Sequence, residues 1–129
     1  MSKLLEDECK AQEYSPLALA FIGDGVFDLM VRERIVINAN APVGKLNKQK
    51  VDIVCCQNQA KIIENLLPIL TEEEVLVYKR GRNAKSKAPK NATNAQYHMA
   101  TGLESLWGYL YLKGEIERLR ELFKYIDSE

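Results

Sequence analysis

Two acids stand alone in apolar helical surroundings, Asp24 in Leu19-Ala20-Phe21-Ile22-Gly23-Asp24-Gly25-Val26-Phe27 and Glu104 in Thr101-Gly102-Leu103-Glu104-Ser105-Leu106-Trp107-Gly108. A carboxylate withdrawn from water without a partner costs on the order of several kcal/mol, so such a group pairs with a cation, binds a metal or lines a functional cleft. Taken singly, either acid reads equally well as a structural ion-pair partner, with Arg32 and Arg34 as available cations. Taken together, in matching contexts, they suit a hard divalent cation such as Mg²⁺, which prefers oxygen ligands. A metal held that way can activate water and neutralise charge developing on phosphate oxygens. The two acids lie in opposite halves of the chain, so only the fold can join them. Asp28, one turn after Asp24, shares its helical face and reads as a solvated or salt-bridged acid.

The chain has one histidine, His98. A mechanism in which two histidines serve as acid and base, with a ribose 2′-hydroxyl as nucleophile, therefore cannot be assembled within one chain, and metal-activated water is favoured instead. His98 itself reads as a surface residue or one facing RNA. Neither a GxSxG elbow nor the glycine-rich patterns of nucleotide-binding loops occurs, so acyl transfer and triphosphate hydrolysis lose support and no nucleotide cofactor is expected.

The 18 basic and 18 acidic residues cancel, but their distribution does not. Between Glu74 and Glu104 there is no acid, while Lys79, Arg80, Arg82, Lys85, Lys87 and Lys90 crowd together with Asn83 among them. Cations so close repel one another unless a polyanion compensates them, which favours phosphate contact over a merely solvated loop. The run holds no aromatic residue, so it suits tracking along a duplex backbone better than stacking single-stranded bases. Trp107, Tyr109 and Tyr111 lie in an apolar run and read as core or subunit interface. Gly23, Gly25, Ala18 and Ala20 suit close helix approach.

The elements that must position these groups are helical: apolar residues recur at helical spacing, with no sustained alternation of the kind strands show. At 129 residues and 47% hydrophobic the chain is expected to form a single all-α domain over residues 1–129, with residues 1–14 as an N-terminal extension or short helix. Ser15 as cap and Pro16 in the first turn open a helix to about Ile37. Helices from Val43 to Cys55 and from Gln57 to Leu67 follow. Thr71-Glu72-Glu73-Glu74 has the form of a capping box that starts a helix to about Arg82. Asn83 to Asn91 reads as a polar loop, Thr93 to Leu112 as a helix stopped by Lys113-Gly114, and Glu115 to Ile126 as a final amphipathic helix. Three cysteines, two of them adjacent, supply neither a disulfide framework nor a CxxC pair and read as reduced, mostly core thiols. No apolar stretch approaches a membrane span and the N-terminus lacks a secretion-signal pattern, so a cytoplasmic protein is expected.

The segment from Leu19 to Phe27 resembles the signature helix of the ribonuclease III catalytic domain, and Leu103-Glu104-Ser105-Leu106-Trp107-Gly108-Tyr109-Leu110-Tyr111-Leu112 resembles that family's second catalytic helix. With Lys79-Arg80-Gly81-Arg82-Asn83-Ala84-Lys85-Ser86 added, the likeness is stronger to a small bacterial branch, the Mini-ribonucleases III, and extends from Ser15 to Leu122. The resemblance implies an all-α helical bundle, a homodimer, and Mg²⁺-dependent cleavage of double-stranded RNA to 5′-phosphate and 3′-hydroxyl ends, with Mn²⁺ able to substitute. It implies that Asp24 and Glu104 are the catalytic metal ligands, while the uncompensated charge makes Lys79, Arg80, Arg82, Asn83, Lys85 and Lys87 the expected RNA contacts. The chain leaves no room for the separate RNA-binding domain of larger relatives, so binding is expected from the catalytic domain itself. Those relatives also carry acids where this sequence has Leu17, Ala20 and Thr101. The branch is associated with maturation of precursor 23S ribosomal RNA. A non-catalytic RNA-binding or ribosome-associated module of the same fold is the alternative, with a helical protein-interaction adaptor third.

Overall fold

The computed structural model describes residues 3–85 and 93–126. Among them are six α-helices and no strand: α1 (Pro16–Asn38), α2 (Val43–Val54), α3 (Cys56–Leu66), α4 (Glu72–Arg82), α5 (Asn94–Leu112) and α6 (Ile116–Phe123), with a short 3₁₀ turn at Ala11–Glu13 and another at Leu67–Ile69. Helix boundaries fall close to the positions expected from the capping residues. The Ser15 hydroxyl accepts from Ala18 N, Thr93 does the same for Gln96 N, and Thr71 and Glu74 form the reciprocal capping box. Gly114 takes a φ of 82°, which lets the chain turn directly from α5 into α6. The last helix is shorter than its periodicity suggests, because residues 124–126 continue as turns.

α5 is the central helix and packs on α1, α3 and α4. Its contact with α1 is made through backbone. A Cβ on Gly23 would overlap the Glu104 carbonyl oxygen and come within 2.7 Å of Gly108 N, and one on Gly108 would overlap the Leu19 carbonyl oxygen. Gly25, read from sequence as another close-approach residue, has nothing of its own chain within 4 Å of where a Cβ would stand. The α4–α5 contact is also close, with Gly81 against Ser105 and Gly102 against the Tyr78 ring. The Ser105 hydroxyl donates to Pro16 O at 2.8 Å, pinning α5 to the start of α1.

The core is aromatic at its centre. Phe27 meets Trp107 edge-on at 5.5 Å and Phe123 at 6.2 Å, and the Trp107 indole N–H points at Met30 Sδ. Buried Glu74 accepts from Arg118 through Nε and Nη2, and Arg118 also donates to Ile69 O, so one ion pair ties the α4 start to α6. The thiols are not core: Cys9, Cys55 and Cys56 are free and only half-buried. No helix among the described residues is long and apolar enough to cross a membrane.

Candidate active site

The α1–α5 crossing brings Asp24 and Glu104 together. Gly23 lies on the Glu104 carbonyl, so the residue after one glycine and the residue whose backbone it touches project into the same space. Their environments differ from what the sequence suggested. Asp24 is exposed, whereas Glu104 is recessed and mostly shielded from water. Burial, reinforced by the Asp24 carboxylate beside it, raises the Glu104 carboxyl to about 8, and the nearby Gln59 amide pulls weakly the other way. Two carboxylates in contact, with no lysine or arginine bonded to either among the described residues, repel one another unless a proton or a cation joins them.

The cations considered as structural partners are engaged elsewhere. Arg32 bonds Asp28 at 2.5 Å, and Arg34 lies 4.9 Å over the Phe123 ring. Asp28 is held by Arg32 and by Lys50 at 3.5 Å, which makes it the salt-bridged acid its position suggested. No group of three or more acid, histidine or cysteine side chains gathers among the described residues. A pair of carboxylates suits Mg²⁺, which is usually held by one or two protein carboxylates and completes its octahedron with water and phosphate oxygens. The donor set therefore fits the ion.

A ribonuclease III domain pattern matches residues 17–115. A Mini-ribonuclease 3 of Thermoanaerobacter sp. is 46% identical over 111 residues, covering 85% of this chain and 78% of the relative. The chain belongs to the ribonuclease III domain family. Another Mini-ribonuclease 3, from Clostridium tetani, is 43% identical over 89% of this chain and 78% of its own length. A crystal structure of a Fusobacterium nucleatum protein superposes with a TM-score of 0.85 at 28% identity, covering 92% of this chain and 98% of that one.

Within this ribonuclease III domain the basic run begins in the last turn of α4. Lys79, Arg80, Asn83 and Lys85 are exposed. Arg82 is turned back on its own helix end, with its guanidinium 5.6 Å from the Tyr78 ring and its Nε donating to Asn83 Oδ1 at 3.2 Å. Lys87 and Lys90 lie outside the described residues. His98, read as a surface or RNA-facing residue, is half-buried, with a buried Nδ1 that has no hydrogen-bond partner. The residue that sequence reasoning missed is Gln59, which is 2% exposed, sits on α3 and faces Glu104. Its signal was present: Gln59 shares the buried helical face of Ile62, Ile63 and Leu66.

Proposed function

We infer that this chain is a metal-dependent endoribonuclease that cuts double-stranded RNA, with Asp24 and Glu104 as the acids of its reaction centre. The observation that carries this reading is the contact of two carboxylates that no cation among the described residues neutralises. Mg²⁺, or Mn²⁺ in its place, bound at these acids would supply activated water and charge neutralisation at a phosphodiester, leaving 5′-phosphate and 3′-hydroxyl ends. The chain's own residues do the rest. Exposed Asp24 and recessed Glu104 present oxygen donors from two helices, and the crossing of those helices keeps the donors at fixed separation.

Residues 1–129 act as one catalytic unit. Lys79, Arg80, Arg82, Asn83, Lys85 and Lys87 grip the RNA backbone. The dipole of α4 eases the cations of its last turn, and those beyond the helix end depend on an anionic partner. Double-stranded segments of precursor 23S ribosomal RNA, in the cytoplasm, are the substrate this reading adopts. The test is a structured duplex incubated with the purified protein and either Mg²⁺ or chelator. Discrete double-strand cleavage is expected with Mg²⁺ and none with chelator. Cleavage that ignores chelator would remove the metal from the reading, and an intact duplex under both conditions would favour a non-catalytic RNA-binding module.

The active form is a homodimer. Phe21, one turn before Asp24 on α1, is 85% exposed, and α1 borders a groove of about 600 Å³ whose lining joins Ile22, Val26, Leu29 and Phe123 with the charged Glu33, Arg34, Arg120 and Lys124. An exposed ring and an open, largely apolar groove bordered by the same helix suit a self-complementary two-fold contact, which would set two centres toward the two antiparallel strands of a duplex. Light scattering at micromolar concentration should find a dimer, and Phe21→Glu should convert it to a 14.7 kDa species. A parent protein that is already monomeric would exclude this arrangement.

A further inference from the structure

Four polar or charged residues are buried among the described ones: Gln59, Glu74, Thr101 and Ser105. Three are satisfied within the fold. Glu74 has Arg118 and Thr71, the Thr101 hydroxyl donates to Tyr97 O, and the Ser105 hydroxyl donates to Pro16 O. Gln59 is the exception, because its Nε2 is buried without a hydrogen-bond partner. Burying an amide donor unpaired is unfavourable, and an aliphatic side chain would join Ala60, Ile62, Ile63 and Leu66 on that face without the penalty. What the amide lies against is Glu104, on the helix that α3 packs upon.

We propose that Gln59 is a positioning residue of the reaction centre, its Nε2–H steadying the ionised Glu104 carboxylate in the orientation that a divalent cation shared with Asp24 requires. This rests on the reading of Asp24 and Glu104 as metal ligands. Glu104 is approached from two sides, by Asp24 on α1 and by Gln59 on α3, and only the second offers a donor. Carboxylate ligands of metals are in general hydrogen-bonded by a second group that fixes their orientation, and loss of that group lowers metal affinity by about 10- to 100-fold. Gln59 would touch neither metal nor substrate.

The test uses the whole chain without RNA and reads Mn²⁺ binding by the electron paramagnetic resonance of the free ion, together with the melting temperature in chelator. Gln59→Met keeps the shape and removes the donor. Its Mn²⁺ affinity is expected to fall about tenfold or more, while its melting temperature in chelator stays level or rises, because an unpaired buried amide has gone. Cleavage by the variant should recover as Mn²⁺ is raised, with the RNA KM unchanged. Unaltered Mn²⁺ affinity in a folded variant would overturn the proposal, whatever the melting temperature does. Gln59→Leu is the second variant, and failure of both to fold would show that the amide serves packing and overturn the proposal as well. Parent protein that binds no Mn²⁺, or Glu104→Gln that binds it as well as the parent, would overturn the two-acid reading itself. That outcome is distinct from a parent that binds and a Gln59→Met that binds equally.

Discussion

Glu104→Gln is expected to yield a folded protein that still binds duplex RNA and cuts it at least ~10²-fold more slowly, the scale expected when a group stabilising developing charge is lost. Asp24→Asn should do the same. Near-normal turnover in either variant would remove that acid from the reaction. The Glu104 change should also alter stability in chelator, with a definite sign. The Glu104 carboxyl is raised from an ordinary 4.5 to about 8 by burial and by Asp24, so the folded chain holds a proton that the unfolded chain releases. Stability therefore falls as pH rises between those two values and stays low above them. Removing the carboxyl abolishes that fall. In urea denaturation with chelator, Glu104→Gln should match the parent near pH 4 and exceed it at pH 8.5 by on the order of 1–3 kcal/mol. Divalent cation added to the parent should close the gap. Parallel stability curves for parent and variant across this range would mean that Glu104 is neither withdrawn from water nor crowded by Asp24 in solution.

Gly23→Ala and Gly108→Ala should each damage the whole protein. The added methyl at Gly23 would overlap the Glu104 carbonyl and press on Gly108 N, and that at Gly108 would overlap the Leu19 carbonyl and meet Ile22 Cγ2 at 2.9 Å. Backbone cannot swing aside as a flexible side chain does, so α1 and α5 must separate. Overpacking of this kind costs at least the ~1–3 kcal/mol usual for buried sites, out of a total stability of roughly 5–15 kcal/mol. A fall in melting temperature of about 10 °C or more is expected, with cleavage lost beyond the folded fraction because Glu104 leaves Asp24. Gly44→Ala, where nothing lies within 4 Å, should change stability by less than ~1 kcal/mol. An unshifted melting temperature for Gly23→Ala would contradict the helix crossing as described.

Much of this architecture could be read from local chemistry. Ser15 before Pro16, the Thr71–Glu74 box and Gly114 after α5 each act within a few residues, so their effect is visible in the sequence around them. The two acids were also legible, because an isolated charge in an apolar helix stands out whatever surrounds it. Their exposures were not. Which side of Asp24 faces water depends on the register of α1 on α5, and that register is set by Gly23, a residue the sequence marked for close approach, together with Gly108, which looks like an ordinary small residue until the two backbones are seen in contact. Gln59 lies on the apolar face of Ile62, Ile63 and Leu66, so its burial was legible, but that its amide has no partner is seen only once α3 is docked. Arg82 counted as one of six free cations in the sequence, yet the Tyr78 ring and Asn83 hold it near α4.

The crossing of α1 and α5 has a consequence for the time at which the nuclease comes into being. Asp24 leaves the ribosome early and Glu104 late, and contacts between such distant segments are among the slowest to close. The α1 helix is synthesised first, but on the proposed reading it carries only one of the two acids, and most of its stability comes from packing. The second acid arrives on a helix that also packs on α3 and α4, so it is seated only when most of the core is in place. A nascent or truncated chain without α5 would lack Glu104 and also the helix against which α4 is seated. If Asp24 and Glu104 are the reacting acids, such a chain would have no complete centre, and activity would appear only with the folded core.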